Sequence, residues 1–412
     1  MKSDLVIFPS VSRIATALHE VTERLGRELG TPLAEAPEWT AFEWRIARAV
    51  AAMQGVSPLL RTNLRWQGPQ GWQEFLEEQH LQSVKRRLLI EGLLQDIDCR
   101  ARLANVGFVA LKGAALHALG LYGPGERPMG DIDLLVRPDD IAAVSEVLKQ
   151  CGYELAFDYR RHLSFQPKGS QTPTAIRLGE HADNPVKIEL HSKIAEQLPT
   201  TEVDITGFLI PDTMECGLNA YPSLSSLLTH LLLHAAGNTR AHALRAIQLH
   251  DISLLAKRFS SGDWKQFLSM AAGDDRMWWS FVPLALTARY YPSAIPTEVI
   301  GRLKSDCPWL LQVTTRRRQL TSVSWSNIRI AAFPGILWSR SGLEALEFMR
   351  RRIWPTREAR SELEEGAAQI PQSSSVPWYG ISHGARIMRW LFSRPPRVQT
   401  LLSVRAALAS DA

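Results

Sequence analysis

The chain has 412 residues, 45% of them hydrophobic and 22% charged, which is enough apolar material for a globular core and by length suggests two or three domains. Its formal net charge of +5 is uneven, because residues 301–412 contain 17 Lys and Arg against 8 Asp and Glu. Four scattered cysteines argue against a disulfide framework or a structural zinc site, and no apolar run is long enough for a signal core or a membrane span, so we expect a cytoplasmic protein.

The first region, residues 1–105, has the apolar spacing of helices. PEWTAFEWRIARAVAAMQGV, from Pro37, and EEQHLQSVKRRLLIEGLLQDIDCRARLANVG, from Glu77, both repeat apolar residues with the helical period. We therefore predict an N-terminal helical region.

The second region, residues 106–200, changes to short apolar runs typical of strands. VGFVALKG, DIDLLVR, YELAF, HLSFQ, TAIRL and VKIELHS are predicted strands. DDIAAVSEVLKQCG, with an aspartate at its start and a glycine at its end, is a predicted helix.

Helical spacing returns after residue 200. It runs through SLSSLLTHLLLHAAG and HALRAIQLHDISLLAKRF in residues 201–300 and continues into the basic region 301–412, where AAQIPQSSSVPWYG is a predicted loop. The predicted fold class is α+β, with a small sheet core between N- and C-terminal helical regions.

Two aspartates begin one of the predicted strands. Residues i and i+2 of a strand point to the same face, so Asp131 and Asp133 present two carboxylates together while Ile132 faces the apolar side. Buried carboxylates are costly unless they are paired or metal-bound. Together with Glu189, which lies between Ile188 and Leu190 in VKIELHS, they predict an Mg²⁺ site, although Glu189 could also be an ordinary outward-facing residue.

A strand ending in Lys112-Gly113-Ala114 precedes this site. Where such a turn opens a helix, backbone N–H groups attract phosphate oxygens and glycine allows a close approach, although a plain turn explains the sequence equally well.

Together these motifs resemble the polymerase-beta-like nucleotidyltransferase superfamily. The stretch from WRIARAVAAMQGVSPLL through VALKGAALHALGLYGPGERPMGDIDLLVRPDD to VKIELHS is similar to a bacterial family of uncharacterised nucleotidyltransferases. The resemblance covers about residues 36–255 and implies a small mixed-sheet nucleotidyltransferase core.

The resemblance also implies roles for individual residues. Asp131, Asp133 and Glu189 would be catalytic and would ligate Mg²⁺ or Mn²⁺, with Glu189 helping to deprotonate an attacking hydroxyl. The implied nucleotide-binding residues are Lys112, Gly113, Ala114 and Gly130.

The sequence departs from the superfamily pattern in the turn, which is Gly-Ala instead of Gly-Ser, and in a longer gap from Gly113 to Asp131. His191 matches the histidine that follows the third acid in the family, and His162 is a second accessory candidate; both could equally be packing histidines.

The predicted reaction is transfer of a nucleoside monophosphate from a nucleoside triphosphate to a hydroxyl or phosphate of a small molecule, peptide or protein, with release of pyrophosphate. One alternative is a non-catalytic binding or scaffold protein of the same fold. Another is an HD-type metal phosphohydrolase built on His230, His234, His250 and Asp251.

Two further motifs carry less weight. GISHG matches a nucleophile-elbow pattern, but no histidine follows Gly384. FMRRRIWPTREAR and ARIMRWLFSRPPR mix arginines with aromatic residues, which suits nucleic acid or an anionic membrane but is equally typical of solvated helix faces.

Overall fold

The computed structural model describes residues 9–158, 162–170, 178–271, 277–324, 328–356, 382–393 and 397–409. Helices dominate both ends of this part of the chain, and a mixed sheet lies in the middle. This arrangement confirms the predicted α+β class.

The main sheet has six strands in the order β3-β4-β5-β2-β1-β8. β2 is parallel to β5 and antiparallel to β1, while β8 is parallel to β1. The β3–β4 and β4–β5 pairs are antiparallel, and β6 and β7 form a separate two-stranded sheet. The strands are β1 (Gly107–Ala110), β2 (Asp131–Leu135), β3 (Tyr153–Asp158), β4 (Leu163–Pro167), β5 (Lys187–His191), β6 (Ala195–Gln197), β7 (Glu202–Asp204) and β8 (Gly217–Asn219).

The helices before and within the sheet region include the two long predicted segments. They are α1 (Val11–Glu28), α2 (Ala41–Met53), α3 (Ser57–Asn63), α4 (Gln70–Leu103), α5 (Gly113–Ala118), α6 (Ile141–Gln150) and α7 (Thr206–Leu209). α2 begins where Thr40 and Glu43 form a reciprocal cap, in which each side chain accepts from the backbone N–H of the other residue.

The remaining helices follow the sheet. They are α8 (Leu224–Ala241), α9 (Ala246–Ala256), α10 (Ser261–Met270), α11 (Phe281–Tyr290), α12 (Thr297–Asp306), α13 (Trp309–Thr315), α14 (Leu320–Val323), α15 (Gly342–Ile353), α16 (His383–Phe392) and α17 (Val398–Ala409). In the described ranges, none of the helices combines the length and apolar character needed to cross a membrane.

The two faces of the main sheet pack against different layers. Phe108, Ile132 and Ile188 belong to a core shared with α4 and α6. Val109 and Leu135 point the other way, into a larger core that includes residues of α1, α2, α8, α9 and α17. Helices from both ends of the chain contribute to this larger core, which packs against the second face of the sheet.

Some elements differ from the predictions. The three-residue strands β6, β7 and β8 were not expected, because three residues are too short to establish an alternating pattern. The predicted strand TAIRL lies almost entirely outside the described residues, and the predicted loop 367–380 lies wholly outside them. The division into four regions stays a prediction.

Candidate active site

The three predicted carboxylates lie on two adjacent parallel strands. Asp133 of β2 is paired in register with Glu189 of β5, and Asp131 lies two residues before Asp133. Ile132 and Ile188 are fully buried on the opposite face. The pleat therefore brings all three acids to the sheet face that looks toward the helices after residue 200.

The two aspartates have different electrostatic surroundings. Asp131 opens into a cavity, whereas Asp133 is only 6% exposed. Loss of solvation and the neighbouring Asp133 carboxylate raise the pKa of Asp131 to about 6. Burial opposes ionisation of Asp133 too, but the Lys112 ammonium and a hydrogen bond to His191 outweigh it and hold the pKa of Asp133 well below its usual range.

Lys112 occupies a strained turn between β1 and α5. Its φ of 48° lies in the left-handed region, which is costly for a residue with a side chain. The turn is held because the Lys112 N–H donates to the Tyr221 hydroxyl at 3.2 Å, and that hydroxyl lies 2.8 Å from Nδ1 of His230. This conformation places the Lys112 ammonium 3.1 Å from the Asp133 carboxylate.

The two predicted accessory histidines also reach the acids. Nε2 of His191 lies 3.1 Å from Oδ1 of Asp133 and 3.6 Å from Oε2 of Glu189. Nε2 of His162, which directly precedes β4, lies 3.8 Å from Oε1 of Glu189. Burial tends to lower the pKa of His191, but its contacts with Asp133 and Glu189 raise it overall.

Gly113 lies against the guanidinium of Arg127. A Cβ on Gly113 would be 2.3 Å from Nη1 of Arg127, so a side chain cannot be added without displacing one of the two. The next residue, Ala114, donates its N–H to the carbonyl of Leu111 at 3.2 Å, within the turn.

Arg127 is fixed by a residue of the helical region. Its Nε and Nη2 donate to the two carboxylate oxygens of Asp251 on α9, at 2.8 and 2.9 Å. The Tyr122 hydroxyl also donates to Asp251, at 2.6 Å. The result is a buried contact that holds the loop before β2 against the helices.

Arg86 of α4 holds the segments that enter β2 and β5. It is 2% exposed and donates to backbone carbonyls in residues 129–130 and 181–185. Its Nη2 donates to the carbonyl of Gly130 at 2.7 Å, and its Nη1 donates to the carbonyl of Asn184 at 2.6 Å. Gln79 and Gln82, on the same helix, bind backbone groups of residues 178–182. One helix therefore anchors both strands that carry the acids.

These groups surround a cavity of about 370 Å³. Its walls combine the acids with two guanidinium groups, those of Arg127 and Arg245. Arg245, at the start of α9, is exposed to the cavity and forms no ion pair with any of the described residues. The cavity is therefore acidic where β2 and β5 line it and basic where the loop before β2 and the start of α9 line it.

The prediction from sequence missed the three arginines at positions 86, 127 and 245. It gave Asp251 a helix-packing role or a place in the HD-type alternative, and no role in this site. Arg127 belongs to the RPMGDID motif, and Asp251 interrupts the apolar run LHDISLL, so both carried a signal. Arg86 lies in KRRLLI, where nothing distinguishes it from its neighbours.

A larger cavity of about 710 Å³ lies on the other side of Met129. It is enclosed by α4, α5, β8 and the start of α8, and its lining includes Ile90, Leu94 and Leu227. None of the three acids lines it, so it is not where the predicted chemistry would occur.

The histidines of the HD-type alternative lie in separate contacts. Nε2 of His234 is 3.2 Å from Nδ2 of Asn238, and Nδ1 of His250 is 3.2 Å from the Tyr291 hydroxyl. The only close group of three potential His, Cys, Asp or Glu metal ligands in the described ranges is His162, Glu189 and His191. These contacts give the HD-type alternative no support.

The C-terminal motifs have local structural roles. The Ser382 side chain of GISHG accepts from the N–H of Ala385 and caps α16. Arg350 and Arg351 both pair with Glu347, and the guanidinium of Arg352 lies 4.6 Å from the ring centroid of Trp390. Much of the basic charge in this part of α15 is therefore already engaged.

Comparison with known proteins agrees with the site. A family model described as uncharacterised nucleotidyltransferase matches residues 40–275, more than half of the chain, and the chain belongs to this family. Comparisons with the curated proteins and with the solved structures gave no significant match. The matched range contains the sheet, the three acids, Arg86, Arg127, Arg245 and Asp251.

Proposed function

We propose that this protein transfers a nucleoside monophosphate from a nucleoside triphosphate to a hydroxyl or phosphate acceptor, with release of pyrophosphate and with help from a divalent cation. The observation that carries the proposal is the placement of Asp131, Asp133 and Glu189 on one sheet face, opposite the guanidinium groups of Arg127 and Arg245. Acids that bind a cation and arginines that bind phosphates are the two halves of a phosphoryl-transfer site.

The acid group fits Mg²⁺ or Mn²⁺. Hard divalent cations take oxygen ligands, and here three carboxylates on two adjacent strands line one cavity, with Asp133 buried at its base. Loss of solvation and then the Asp133 carboxylate raise the pKa of Asp131, so a bound cation would favour its ionised form. Asp131, Asp133 and Glu189 would hold the cation, which would neutralise charge on the phosphates as the bond to the leaving group breaks.

The basic wall would hold the triphosphate. Arg127 presents a guanidinium already oriented by Asp251, and Arg245 presents one that has no ion-pair partner among the described residues. Gly113 leaves room for Arg127 beside the turn, and Lys112 and Gly130, two other proposed nucleotide-binding residues, line the same cavity as Arg127. Ala114, the remaining one, lines the larger cavity instead, so the structure gives its proposed role no support. Lys112 would act mainly on Asp133, since its ammonium contacts that carboxylate.

In the proposed reaction, the acceptor oxygen attacks the α-phosphorus, the bond to the pyrophosphate oxygen breaks, and pyrophosphate leaves with the electron pair. Glu189, which is less buried than Asp133, would accept the proton of an attacking hydroxyl. An acceptor that is already an ionised phosphate needs no base, so its transfer would depend less on Glu189.

The acceptor class remains a small molecule, a peptide or a protein. Contact of the basic C-terminal region with nucleic acid or an anionic membrane is not favoured, because arginine runs on helices are usually solvated faces, and Arg350 and Arg351 form exposed pairs with Glu347. A cytoplasmic location, a bacterial source and membership of the polymerase-beta-like superfamily are also part of the proposal. The four free cysteines support the cytoplasmic location, and the proposed reaction needs the nucleoside triphosphates found there.

The test measures pyrophosphate release from each of four ribonucleoside triphosphates with Mg²⁺ or Mn²⁺, with and without desalted cell extract. Asp131→Asn and Asp133→Asn should each lower turnover by roughly 10³-fold, as expected for loss of a principal charge-stabilising group. Asp139→Asn is the matched control, because Asp139 is an exposed acid just beyond β2 and its loss should leave turnover unchanged.

Equal rates in the wild type and both aspartate variants would refute nucleotidyl transfer at this site. A lack of both turnover and metal-dependent nucleotide binding would favour the non-catalytic binding protein instead. Release that requires extract would show that the acceptor is a cell component and would allow its purification.

A further inference from the structure

Two histidines and a glutamate converge beside the aspartates. The ligand atoms of His162, Glu189 and His191 all lie within 4.8 Å of one another. They come from the start of β4 and from β5, which are neighbouring antiparallel strands, so the sheet itself holds them together. The ring centroids of the two histidines are 5.0 Å apart.

We propose that His162, Glu189 and His191 form a second cation site, which takes a transition metal such as Zn²⁺ in preference to Mg²⁺. Imidazole nitrogens suit Zn²⁺ and later transition metals such as Ni²⁺ and Cu²⁺, whereas Mg²⁺ and Mn²⁺ prefer oxygen ligands. The two sites therefore differ in ligand chemistry: three carboxylates in one, and two imidazoles with a shared carboxylate in the other.

The distances are close to those of a bound ion. Ligand atoms about 2.1 Å from a tetrahedral metal are separated by about 3.4 Å. The nitrogens of His162 and His191 lie 3.8 and 3.6 Å from the two Glu189 oxygens, so only small side-chain shifts are needed. Asp133 lies beside this group, with its Oδ1 3.1 Å from Nε2 of His191, but it does not belong to the set of mutually close ligand atoms and is paired with Lys112.

The site is also accessible. The side chains of His162, Glu189 and His191 are 20%, 28% and 11% exposed, so an ion can enter without unfolding the sheet. Glu189 faces both groups of ligands, and two ions that share a carboxylate typically lie about 3.5–4 Å apart in phosphoryl-transfer enzymes. The proposal that a cation binds here depends only on these contacts. A role for that cation beside the nucleotide rests on the proposed function.

The test uses the full chain, freed of metal with a chelator, and follows its titration with Co²⁺ by visible absorption, with Zn²⁺ as competitor. We expect one Co²⁺ to bind with a spectrum typical of nitrogen and oxygen ligands, to be displaced by Zn²⁺, and to resist a large excess of Mg²⁺. His162→Ala should weaken Co²⁺ binding by at least about tenfold. His19→Ala, which removes an exposed histidine far from the site in sequence, should leave it unchanged.

A second measurement needs no variant. In wild-type protein, Zn²⁺ should shift the imidazole nitrogen resonances of two histidines, and His162→Ala and His191→Ala should identify them. Co²⁺ affinity unchanged in His162→Ala, with no histidine resonance shifted by Zn²⁺, would overturn the proposal.

The two proposals fail separately. If Asp131→Asn does not affect pyrophosphate release while His162→Ala abolishes Co²⁺ binding, the metal site stands and the proposed function does not. If Asp131→Asn abolishes release while both histidine variants bind Co²⁺ like the wild type, the proposed function stands and this site is refuted.

Discussion

Arg127 and Asp251, which are 124 positions apart in the chain, join the loop before β2 to helix α9 through a two-point ion pair. The Asp251 side chain is 3% exposed and that of Arg127 13%, so little water reaches the contact. Because Arg127 also lies against Gly113, the pair fixes the position of the basic wall of the cavity relative to its acidic wall.

Replacing Asp251 should therefore damage both stability and activity. Asp251→Asn leaves the buried Arg127 guanidinium without its counter-charge, which should lower the free energy of unfolding by about 3 kcal/mol or more. Loss of orientation at Arg127 should lower kcat/KM for the nucleotide by about 10- to 100-fold. Urea denaturation and steady-state kinetics measure the two effects.

Glu347→Gln is the control for Asp251→Asn. It also removes the partner of arginines, but at the surface, and should change stability by less than about 1 kcal/mol. An Asp251→Asn variant as stable and active as the wild type would show that the ion pair does not orient Arg127.

Arg86 should be needed to position the acids, although it touches no predicted metal ligand side chain. Arg86→Met leaves several buried carbonyls without a donor, so we expect a loss of at least about 3 kcal/mol in the free energy of unfolding. Amide exchange should quicken in residues 129–130 and 181–185. Arg100→Met, on the same helix but in an exposed pair with Asp96, should change neither the free energy of unfolding nor the exchange rates. Equal amide exchange in the two variants would contradict the anchoring role of Arg86.

Gly113→Ala should weaken nucleotide binding. The added methyl group would lie 2.3 Å from Nη1 of Arg127, and moving the guanidinium away should cost about tenfold in the dissociation constant of a nucleoside triphosphate. Calorimetric titration measures this. Gly92→Ala, in α4 with no atom within 4 Å of the new Cβ, should bind like the wild type and be slightly more stable. Unchanged affinity in Gly113→Ala would exclude a role for this contact.

Stability should fall in mild acid. Burial is the main cause that lowers the pKa of His117 and His250 to about 4 and that of His230 to about 3, below the value near 6.5 in the unfolded chain. The unfolded state thus binds more protons between about pH 4 and 6.5, so the free energy of unfolding decreases as the pH falls through this range. The lowered pKa values of His80, His162, His234 and His242 act in the same direction. The raised pKa values of Asp131 and His191 act in the opposite direction, but they are fewer.

Urea denaturation at pH 7 and pH 4.5 tests this dependence, and we expect a decrease of a few kcal/mol. His250→Asn removes one of the titrating groups and should make the decrease smaller. A free energy of unfolding that is constant between these pH values would contradict the prediction.

Local pattern was sufficient for much of the architecture. The alternation around Asp131 and Asp133 predicted both the strand and the face that the two acids share, and VKIELHS predicted the strand that carries Glu189. The helical period predicted α2 and most of α4. These features depend on residues that are close together in the sequence.

The contacts that complete the site depend on residues far apart. Arg86 binds carbonyls more than 40 residues away, and Arg127 meets Asp251 only after the helices have packed on the sheet. Arg245 faces the acids from the opposite wall of the cavity. A single sequence without an alignment contains no pattern that pairs such positions.

The parallel pairing of β2 with β5 also determines which changes the site can tolerate. Since Asp133 meets Glu189 through strand register, a one-residue slip of β5 would turn Glu189 and His191 into the opposite core. The register depends on the pairing of the two strands, and not on the length of the connection between them, residues 136–186. Insertions at the exposed turn around Gly169 should therefore leave the acids in place, whereas a single deletion within β5 should separate them.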